Sequence, residues 1–403
     1  MKKIFIFLLS LFISVNVFAF DETTMQRYLE IGLSPSVFAG NNGVTFSDVF
    51  VENVLIDLPT LAENTGGKGL NFDFLFTLPN FFMSVNLKKT NIRIKTSFGL
   101  DGKMTLGLSP ALIDVLANGN EERGEEEFDL SPKTKLDLFA YMDIEAQFKV
   151  KKLSISVTPS IFFPIIYIDP NSIRLAAGNR IDGTFWFEGK IKDAVAYTCV
   201  DIQQALNRNF AVADIFKGIG FDLGASVSYP IFESLNIGGY ARIPIVPGRL
   251  KYEASLGDQI FKGEFRVGDQ SGKAPDMPDL NKLTSSVANK QIIRPLRFGA
   301  SLLYKPFGNW LWIDAFIGAG AELPFDKNWY CEYRVAATAN VYNIVTLSLA
   351  TQYMRNLFMH EVGITLNARL LEIQAAVSAT GSNFKQSFKG TGVGVRFAAI
   401  VGF

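Results

Sequence analysis

Apolar and polar side chains alternate over a long run at residues 135–150, "KLDLFAYMDIEAQFKV". All eight even-numbered positions are apolar, and six of the eight odd-numbered positions are polar or charged. A helix of 3.6 residues per turn cannot separate these two sets, whereas a β-strand directs successive side chains to opposite faces. The segment is therefore predicted to be a long strand with one apolar face and one polar face.

The same alternation recurs along most of the chain. It is clearest in "NIRIKTSFGL", "KLSISVTPSI", "FDLGASVSY" and "LEIQAAVSAT". Further alternating stretches lie near 234–245, 292–304, 311–323, 329–339, 343–353 and 358–370.

The length of these stretches distinguishes a membrane barrel from a soluble sheet protein. A soluble sandwich or propeller also alternates, but strands of globular proteins average about five or six residues. Many stretches here have ten or more residues, which is the length that a tilted strand needs to cross a bilayer. Lipid offers no water to an open sheet edge, so a spanning sheet must close. The sequence predicts an all-β fold, a transmembrane antiparallel β-barrel of about 14 strands (range 12–16), with short helices in loops or in the lumen.

The amino-terminal segment is typical of a secretory signal peptide. Lys2 and Lys3 precede the apolar run "IFIFLLSLFISV", and the small residues Val17 and Ala19 stand at the −3 and −1 positions of a cleavage site. The run is short for a membrane-spanning helix, although a retained anchor helix is the alternative. We expect a signal peptide at 1–19.

The rest of the chain is predicted to be one domain. It is rich in apolar residues (48% hydrophobic overall, with 34 glycines), yet charge interrupts every later apolar stretch. We expect a single barrel domain at 20–403, in which 20–69 form either a plug or a first strand followed by a long loop. The formal net charge is zero, which argues against nucleic acid as a partner because phosphate binding needs a basic face.

The sequence ends on a strand-like segment, "GVGVRFAAIVGF". Apolar residues lie two apart at Val395, Phe397, Ala399, Val401 and Phe403. This segment resembles the carboxy-terminal strand of bacterial outer-membrane barrels, in which a final Phe and the alternating apolar residues before it form the assembly signal. The resemblance implies that Phe397, Val401 and Phe403 engage the barrel-assembly machinery. It also implies localisation in the outer membrane, with outer-membrane lipid around the barrel.

Four long connections are predicted between the strands. They are expected at residues 39–69, 108–133, 190–219 and 267–291, with a short helix at 110–117. Helices in such connections could plug the lumen or cap its mouth, whereas the alternative is that they belong to mobile surface loops.

The polar faces of the strands predict a charged lumen. On the lipid side each charge would cost about 2–4 kcal/mol at the bilayer midplane, so these residues are expected to point inward. The candidates for lining the lumen are Arg93, Lys95, Asp137, Asp143, Glu145, Asp222, Arg242, Asp314, Glu332, Arg334, Arg369 and Arg396. Because both signs are present, they are expected either to pair across the lumen and stiffen the wall or to form a weakly ion-selective lining.

Catalytic and metal-binding motifs are nearly absent from the sequence. His360 is the only histidine, so a multi-histidine metal site is excluded. Alternation places His360 on the lipid face near a strand end, and no G-x-S-x-G motif accompanies it. Cys199 and Cys331 stand far apart, which is weak support for a disulfide. We expect no cofactor, no metal and no enzymatic activity.

The predicted function is that of a channel or transporter for passive passage of small solutes, so the expected partner in the lumen is a small-molecule permeant. The chain also resembles the long-chain fatty-acid transporter (FadL-like) type in its size, in "IGLSPS" at 31–36 and in segments that could fill the lumen. This resemblance implies the alternative of a transporter for hydrophobic or amphipathic ligands. Aromatic residues among the inward charges, such as Tyr141 and Trp312, would suit such ligands. A structural or adhesive surface barrel is the third interpretation.

Overall fold

The computed structural model describes residues 27–45, 57–65, 67–118, 127–168, 172–180, 184–191, 194–207, 216–266, 283–321 and 329–403. The predicted signal peptide at 1–19 lies outside these residues, as do parts of the long connections. Two sheets and four α-helices are formed within the described ranges.

Eighteen strands belong to the main sheet. They are β1 (Leu29–Leu33), β2 (Ser36–Asn41), β3 (Leu70–Leu87), β4 (Ile92–Leu108), β6 (Lys133–Val150), β7 (Leu153–Ile168), β10 (Ala194–Thr198), β11 (Gly220–Phe232), β12 (Leu235–Val246), β13 (Gly248–Ser255), β15 (Thr284–Ile292), β16 (Leu296–Tyr304), β17 (Leu311–Ala321), β18 (Trp329–Val341), β19 (Val345–Met354), β20 (Leu357–Ala368), β21 (Leu371–Gly381) and β22 (Gly392–Gly402).

The second sheet has four strands, and the helices are short. The strands are β5 (Glu127–Asp129), β8 (Ile173–Asn179), β9 (Thr184–Ile191) and β14 (Gln259–Arg266). The helices are α1 (Leu58–Thr65), α2 (Pro110–Asn118), α3 (Ile202–Leu206) and α4 (Phe384–Ser387). Among the described residues, no helix is both long enough and apolar enough to cross a membrane.

The main sheet closes into an antiparallel barrel of 14 strands, which confirms the predicted fold class and strand number. Four of the 14 strands are interrupted, and each consists of two consecutive segments that pair with the same neighbouring barrel strand. β1 and β2 both pair with β3 and β22, and β10 and β11 both pair with β7. β12 and β13 pair with the β10–β11 strand, and β15 and β16 pair with the β12–β13 strand. The seam is formed by β22, which pairs with β21 on one side and with β1 and β2 on the other.

Proline explains three of these four interruptions, because it has no N–H to donate to a neighbouring strand. Pro35 separates β1 from β2, Pro247 separates β12 from β13, and Pro295 separates β15 from β16. Next to Pro35 the wall is held together by other bonds. The Ser34 amide donates to the carbonyl of Asn80 at 2.9 Å, and the Asn80 side-chain amide donates to Ser34 Oγ at 2.9 Å.

The wall has an apolar exterior, as the alternation predicts. Leu349 is 61% exposed while the next residue, Ala350, is 7% exposed; Val377 is 60% exposed while Ser378 is 5% exposed. A continuous belt of exposed Val, Ile, Leu and Phe would be costly in water, and it matches the hydrocarbon region of a bilayer. The closed barrel is therefore built to span a membrane.

The two ends of the barrel differ. One end carries short turns, such as those after Leu87, Val150 and Val341, and we call it the short-turn end. Both described ends of the chain meet there, since the Tyr28 amide donates to the carbonyl of Phe403 at 2.6 Å. The other end carries the long connections, and we call it the long-connection end.

The small sheet belongs to the long-connection end. Its strands are parts of the connections between barrel strands, and Phe128 and Ala177 form an apolar cluster with α2 residues such as Leu112. The helix predicted at 110–117 is confirmed as α2. These four strands are not part of the barrel sheet. The alternating residues in 170–200 and 249–266 therefore do not all belong to barrel strands.

Candidate functional site

The candidate functional site is the barrel lumen, where the polar faces of the strands meet. Of the predicted lining residues, 11 occupy inward positions of their strands: Arg93, Lys95, Asp137, Asp143, Glu145, Asp222, Arg242, Asp314, Glu332, Arg334 and Arg396. Arg369 is different, because it lies in the turn between β20 and β21 with its side chain exposed at the short-turn end.

Ion pairs connect neighbouring strands near the short-turn end. Arg93 Nη2 lies 3.2 Å from Glu30 Oε2, and Ser84 Oγ donates to the same oxygen at 2.9 Å. Arg27 Nη1 lies 3.6 Å from Glu372 Oε2, with both side chains almost completely buried. These contacts join β1, β3 and β4 to the other side of the seam.

A larger cluster surrounds Arg294, which lies in the interruption between β15 and β16. Its Nη1 is 3.3 Å from Asp222 Oδ2 and 3.8 Å from Asp143 Oδ1, and it donates to Ser160 Oγ at 2.9 Å. Asp143 also binds Arg242 Nη2 at 3.1 Å and accepts a hydrogen bond from Ser160. The cluster therefore ties five barrel strands together through their inner faces, with Asp222 fully buried.

Three more arginine–carboxylate pairs lie on the inner wall. They are Arg297–Glu332, Arg334–Asp314 and Arg396–Glu361, the last at 2.5 Å. In each pair a cation faces an anion from another strand, so the inner wall carries charge of both signs in close proximity. Such a lining is expected to discriminate only weakly between cations and anions.

One ion pair crosses the lumen instead of following the wall. Arg355 lies at the tip of the two-residue turn between β19 and β20, and its Nη2 is 3.2 Å from Asp101 Oδ2 on β4. Thr77 Oγ1 on β3 donates to Asp101 Oδ1 at 3.1 Å. Both charged side chains are mostly buried, so this level of the lumen is occupied by protein.

Apolar residues beside the turn fill the same level. Met354, Leu357 and Met359 pack with Phe38 of β2 and Leu75 of β3, and all five side chains are at most 2% exposed. Together with the Arg355–Asp101 pair, this cluster obstructs the lumen.

The lumen becomes apolar and aromatic toward the long-connection end. The buried cluster there contains Phe139, Tyr141, Phe162, Cys199, Leu250 and Ile292. At its edge, Lys290 Nζ lies 5.2 Å from the ring centre of Tyr167 and 5.1 Å from that of Tyr197, within cation–π range. The partly buried Tyr167 and Tyr197 therefore place aromatic rings and a cation at the edge of this cluster.

Several lumen residues were not among the predicted ones: Arg27, Glu30, Asp101, Arg294, Arg297, Arg355 and Glu361. Extending the alternation by one residue past Leu100, or applying it to β16 and β20, would have found Asp101, Arg297 and Glu361. Arg294 and Arg355 lie in an interruption and a turn, where alternation ends and the direction of a side chain cannot be read from the sequence.

His360 lies on the outer face of β20. Its Nε2 is 2.9 Å from Ser387 Oγ, its Nδ1 is 3.1 Å from Thr351 Oγ1, and its ring stacks on Phe388 with a centre distance of 3.7 Å. Ser387 is fully buried and donates to the carbonyl of Phe384 at 2.7 Å, which leaves its hydroxyl without access to a substrate. The contacts fix the α4 connection to the outside of the barrel.

The residues of the predicted assembly signal face outward. Phe397, Val401 and Phe403 are 39%, 58% and 69% exposed, and they lie on the lipid side of β22 and directly after it. Cys199 and Cys331 are both free thiols, the first inside the lumen cluster and the second exposed. The described residues contain no group of three or more His, Cys, Asp or Glu side chains that could hold a metal ion.

Comparisons with known proteins find similarity at the level of the fold. The P. putida toluene transporter TodX has a TM-score of 0.49 and 8% identity, over 93% of this chain and 89% of that chain. The Ralstonia pickettii toluene transporter TbuX has a TM-score of 0.46 and 8% identity, over 94% and 90%. A Pseudomonas aeruginosa FadL homologue has a TM-score of 0.44 and 11% identity, over 93% and 89%.

No family model and no curated protein sequence matches the chain. Since the structural similarities have TM-scores below 0.5, the function of this chain has to be inferred from its own lumen.

Proposed function

We propose that this protein is an integral outer-membrane transporter through which small solutes cross passively. The observation that carries the proposal is a closed 14-stranded cylinder with an apolar exterior and a lumen lined by paired charges. A closed antiparallel barrel satisfies every backbone group of a spanning sheet in lipid, and its interior offers a polar route that lipid does not.

The proposed location is the outer membrane, reached by export with the signal peptide at 1–19. The alternating carboxy-terminal strand supports this location, because its apolar residues face outward where assembly machinery can contact them. Short turns on the periplasmic side are usual in such barrels, so we place the short-turn end in the periplasm and the long-connection end outside the cell.

The test is transport by the purified protein in proteoliposomes. We expect vesicles loaded with an impermeant sugar to swell when a small sugar or amino acid is added outside, and planar bilayers to show discrete conductance steps. Protein-free vesicles are the control. Vesicles that contain correctly folded barrel but show neither swelling nor conductance, whatever the solute, would contradict the proposal.

A second candidate function is the transport of hydrophobic or amphipathic ligands. It is favoured by the apolar and aromatic cluster at the long-connection end of the lumen, whose partly buried edge contains Tyr167, Tyr197 and Val200. An amphipathic molecule could contact this cluster with its apolar part and Lys290 or the Arg294 cluster with its polar part.

The two candidates are separated by binding. If the ligand is amphipathic, a radiolabelled long-chain lipid should remain bound to the detergent-purified protein, and Leu250→Gln should release it. Leu61→Gln is the matched control, because Leu61 is also a buried leucine but lies in a cluster with α2, outside the Leu250 cluster. Equal retention by both variants, or none by the unmodified protein, would leave passage of small polar solutes as the function.

A further inference from the structure

The β19–β20 hairpin has an unusual position in the barrel wall. The last residue pair between β18 and β19 is Tyr333 with Tyr353, so β18 continues for four residues beyond its partner toward the long-connection end. At about 3.3 Å per residue, this is about 13 Å of strand that β19 does not cover. The hairpin tip therefore does not continue the wall.

The tip leans into the lumen. Between β20 and β4, the wall contains β21, β22, the β1–β2 strand and β3. Five strand spacings of about 4.8 Å make an arc of about 24 Å, which is far longer than an arginine and an aspartate side chain can bridge. The 3.2 Å contact between Arg355 and Asp101 requires the turn itself to be displaced inward.

Within the described ranges, two kinds of contact hold the tip inward. One is the Arg355–Asp101 ion pair, and the other is the apolar contact of Met354, Leu357 and Met359 with the β2 and β3 wall. β19 is paired with β18 as far as Tyr353 and β20 with β21 as far as Phe358, so the tip beyond these bonds consists of Met354–Leu357, where Arg355 and Asn356 both have positive φ. These four residues can move as a unit without breaking the bonds between the barrel strands below them.

We infer that the tip of the β19–β20 hairpin is a gate, with Arg355 and Asp101 as its latch. This inference rests on the proposed transport function and concerns how the passage of solutes through the same lumen is controlled. With the latch closed, the tip obstructs the lumen. When the ion pair separates, the tip swings toward the uncovered part of β18 and opens a path along the Arg294 cluster.

The latch predicts a dependence on ionic strength. Salt stabilises the two charges more when they are separated and exposed than when they are paired and mostly buried, so raising the salt concentration should increase the fraction of time that the unmodified channel is open, beyond the change in bulk conductivity. A variant that lacks the latch should lose this additional dependence.

The experiment compares single-channel recordings of the full chain with those of latch variants. Arg355→Asn removes the guanidinium but keeps a residue that tolerates the left-handed turn, and Asp101→Asn removes the carboxylate charge with almost no change in shape. We expect each variant to raise the open-to-closed ratio by on the order of tenfold, as the loss of a partly buried ion pair shifts a two-state equilibrium. Arg355→Lys should keep most of the closed state.

Two further variants make the result specific. The double exchange Asp101→Arg with Arg355→Asp should restore closing toward the unmodified level. Arg180→Gln is the matched control: it removes a 2.6 Å pair with Glu264 in the small sheet and should leave gating unchanged. Heat-modifiable migration on gels verifies that every variant is folded.

The possible outcomes separate the gate from the transport function. If all variants conduct and open like the unmodified protein, the gate is refuted and the transport function stands. If neither the unmodified protein nor any variant conducts or takes up solute into proteoliposomes, the gate and the transport function are both refuted. A higher open fraction in both latch variants together with restoration in the double exchange would establish the gate.

Discussion

At the scale of single residues, the lumen is organised by arginines that face carboxylates on other strands. Asp222 on β11 shows the consequence most clearly, since it is fully buried. Its partner Arg294 belongs to the β15–β16 strand, and the β12–β13 strand lies between the two. A buried ion of this kind depends on its partner, because neither charge is adequately solvated by water. The pairs therefore fix the positions of strands relative to one another as well as lining the lumen.

Replacing Asp222 by Asn should destabilise the barrel by about 3–5 kcal/mol, the usual cost of leaving one member of a buried pair unbalanced. Unfolding by urea in lipid vesicles measures the free-energy difference. Arg180→Gln again serves as the comparison, because its pair with Glu264 is about half exposed and should be worth only about 0.2–1 kcal/mol. Equal losses in the two variants would mean that burial does not determine the contribution of the pair.

His360 represents the outer face at the same scale. Its two hydrogen bonds and its stacking on Phe388 hold the α4 connection, so His360→Ala should lower stability by about 1 kcal/mol and accelerate amide exchange at 384–388. Transport should be unchanged, because the ring points away from the lumen. Loss of transport in a variant with normal stability would contradict this structural assignment.

At the scale of elements, alternation is a reliable guide wherever a strand is continuous. Residues 135–150 fall inside β6, which begins at Lys133 and ends at Val150, with odd positions inward as expected. The limits appear where a strand is interrupted. Nothing in the sequence near 199–219 shows that β10 and β11 are two halves of one barrel strand, because that depends on their common pairing with β7.

The two faces of one strand can be tested on β21. Val377 faces lipid and is 60% exposed, so Val377→Arg should cost about 2–4 kcal/mol near the bilayer midplane. Gln374 lies three positions away on the inner face, where it donates to Glu372 at 2.7 Å, and Gln374→Arg should be tolerated because an arginine can pair with this carboxylate. Folding yield into vesicles distinguishes the two variants, and the opposite ranking would reverse the assigned faces.

At the scale of the whole molecule, the sequence predicts the closed barrel but not the ion pair and the turn that obstruct its lumen. The apolar and polar faces of the strands follow from local alternation, and closure follows from the absence of water in lipid. The obstruction depends on Arg355 meeting Asp101, residues that are 254 positions apart, and on a turn whose inward lean has no local signal. Long-range contacts between turns and walls are set by the assembled barrel, so they cannot be read from periodicity.

The exterior belt gives a prediction for the complete molecule. Purified barrel should be monodisperse in detergent or lipid and should aggregate when detergent is removed, because exposed residues such as Leu349 and Val377 would then face water. Size-exclusion chromatography with light scattering measures this. A stable, monodisperse protein in detergent-free buffer would exclude a membrane-spanning barrel.

The seam between β2 and β22 has a consequence for how the molecule reaches its native state. The Asn41 side chain binds the carbonyl of Thr391, a contact between residues 350 positions apart. Such a contact forms late, since the entropy cost of joining two positions grows with the length of chain between them. Until then the curved sheet has two free borders, and either can accept a strand from another copy. The rate at which the seam closes therefore decides whether a newly synthesised chain forms a monomeric barrel or aggregates with other copies through its free strand edges.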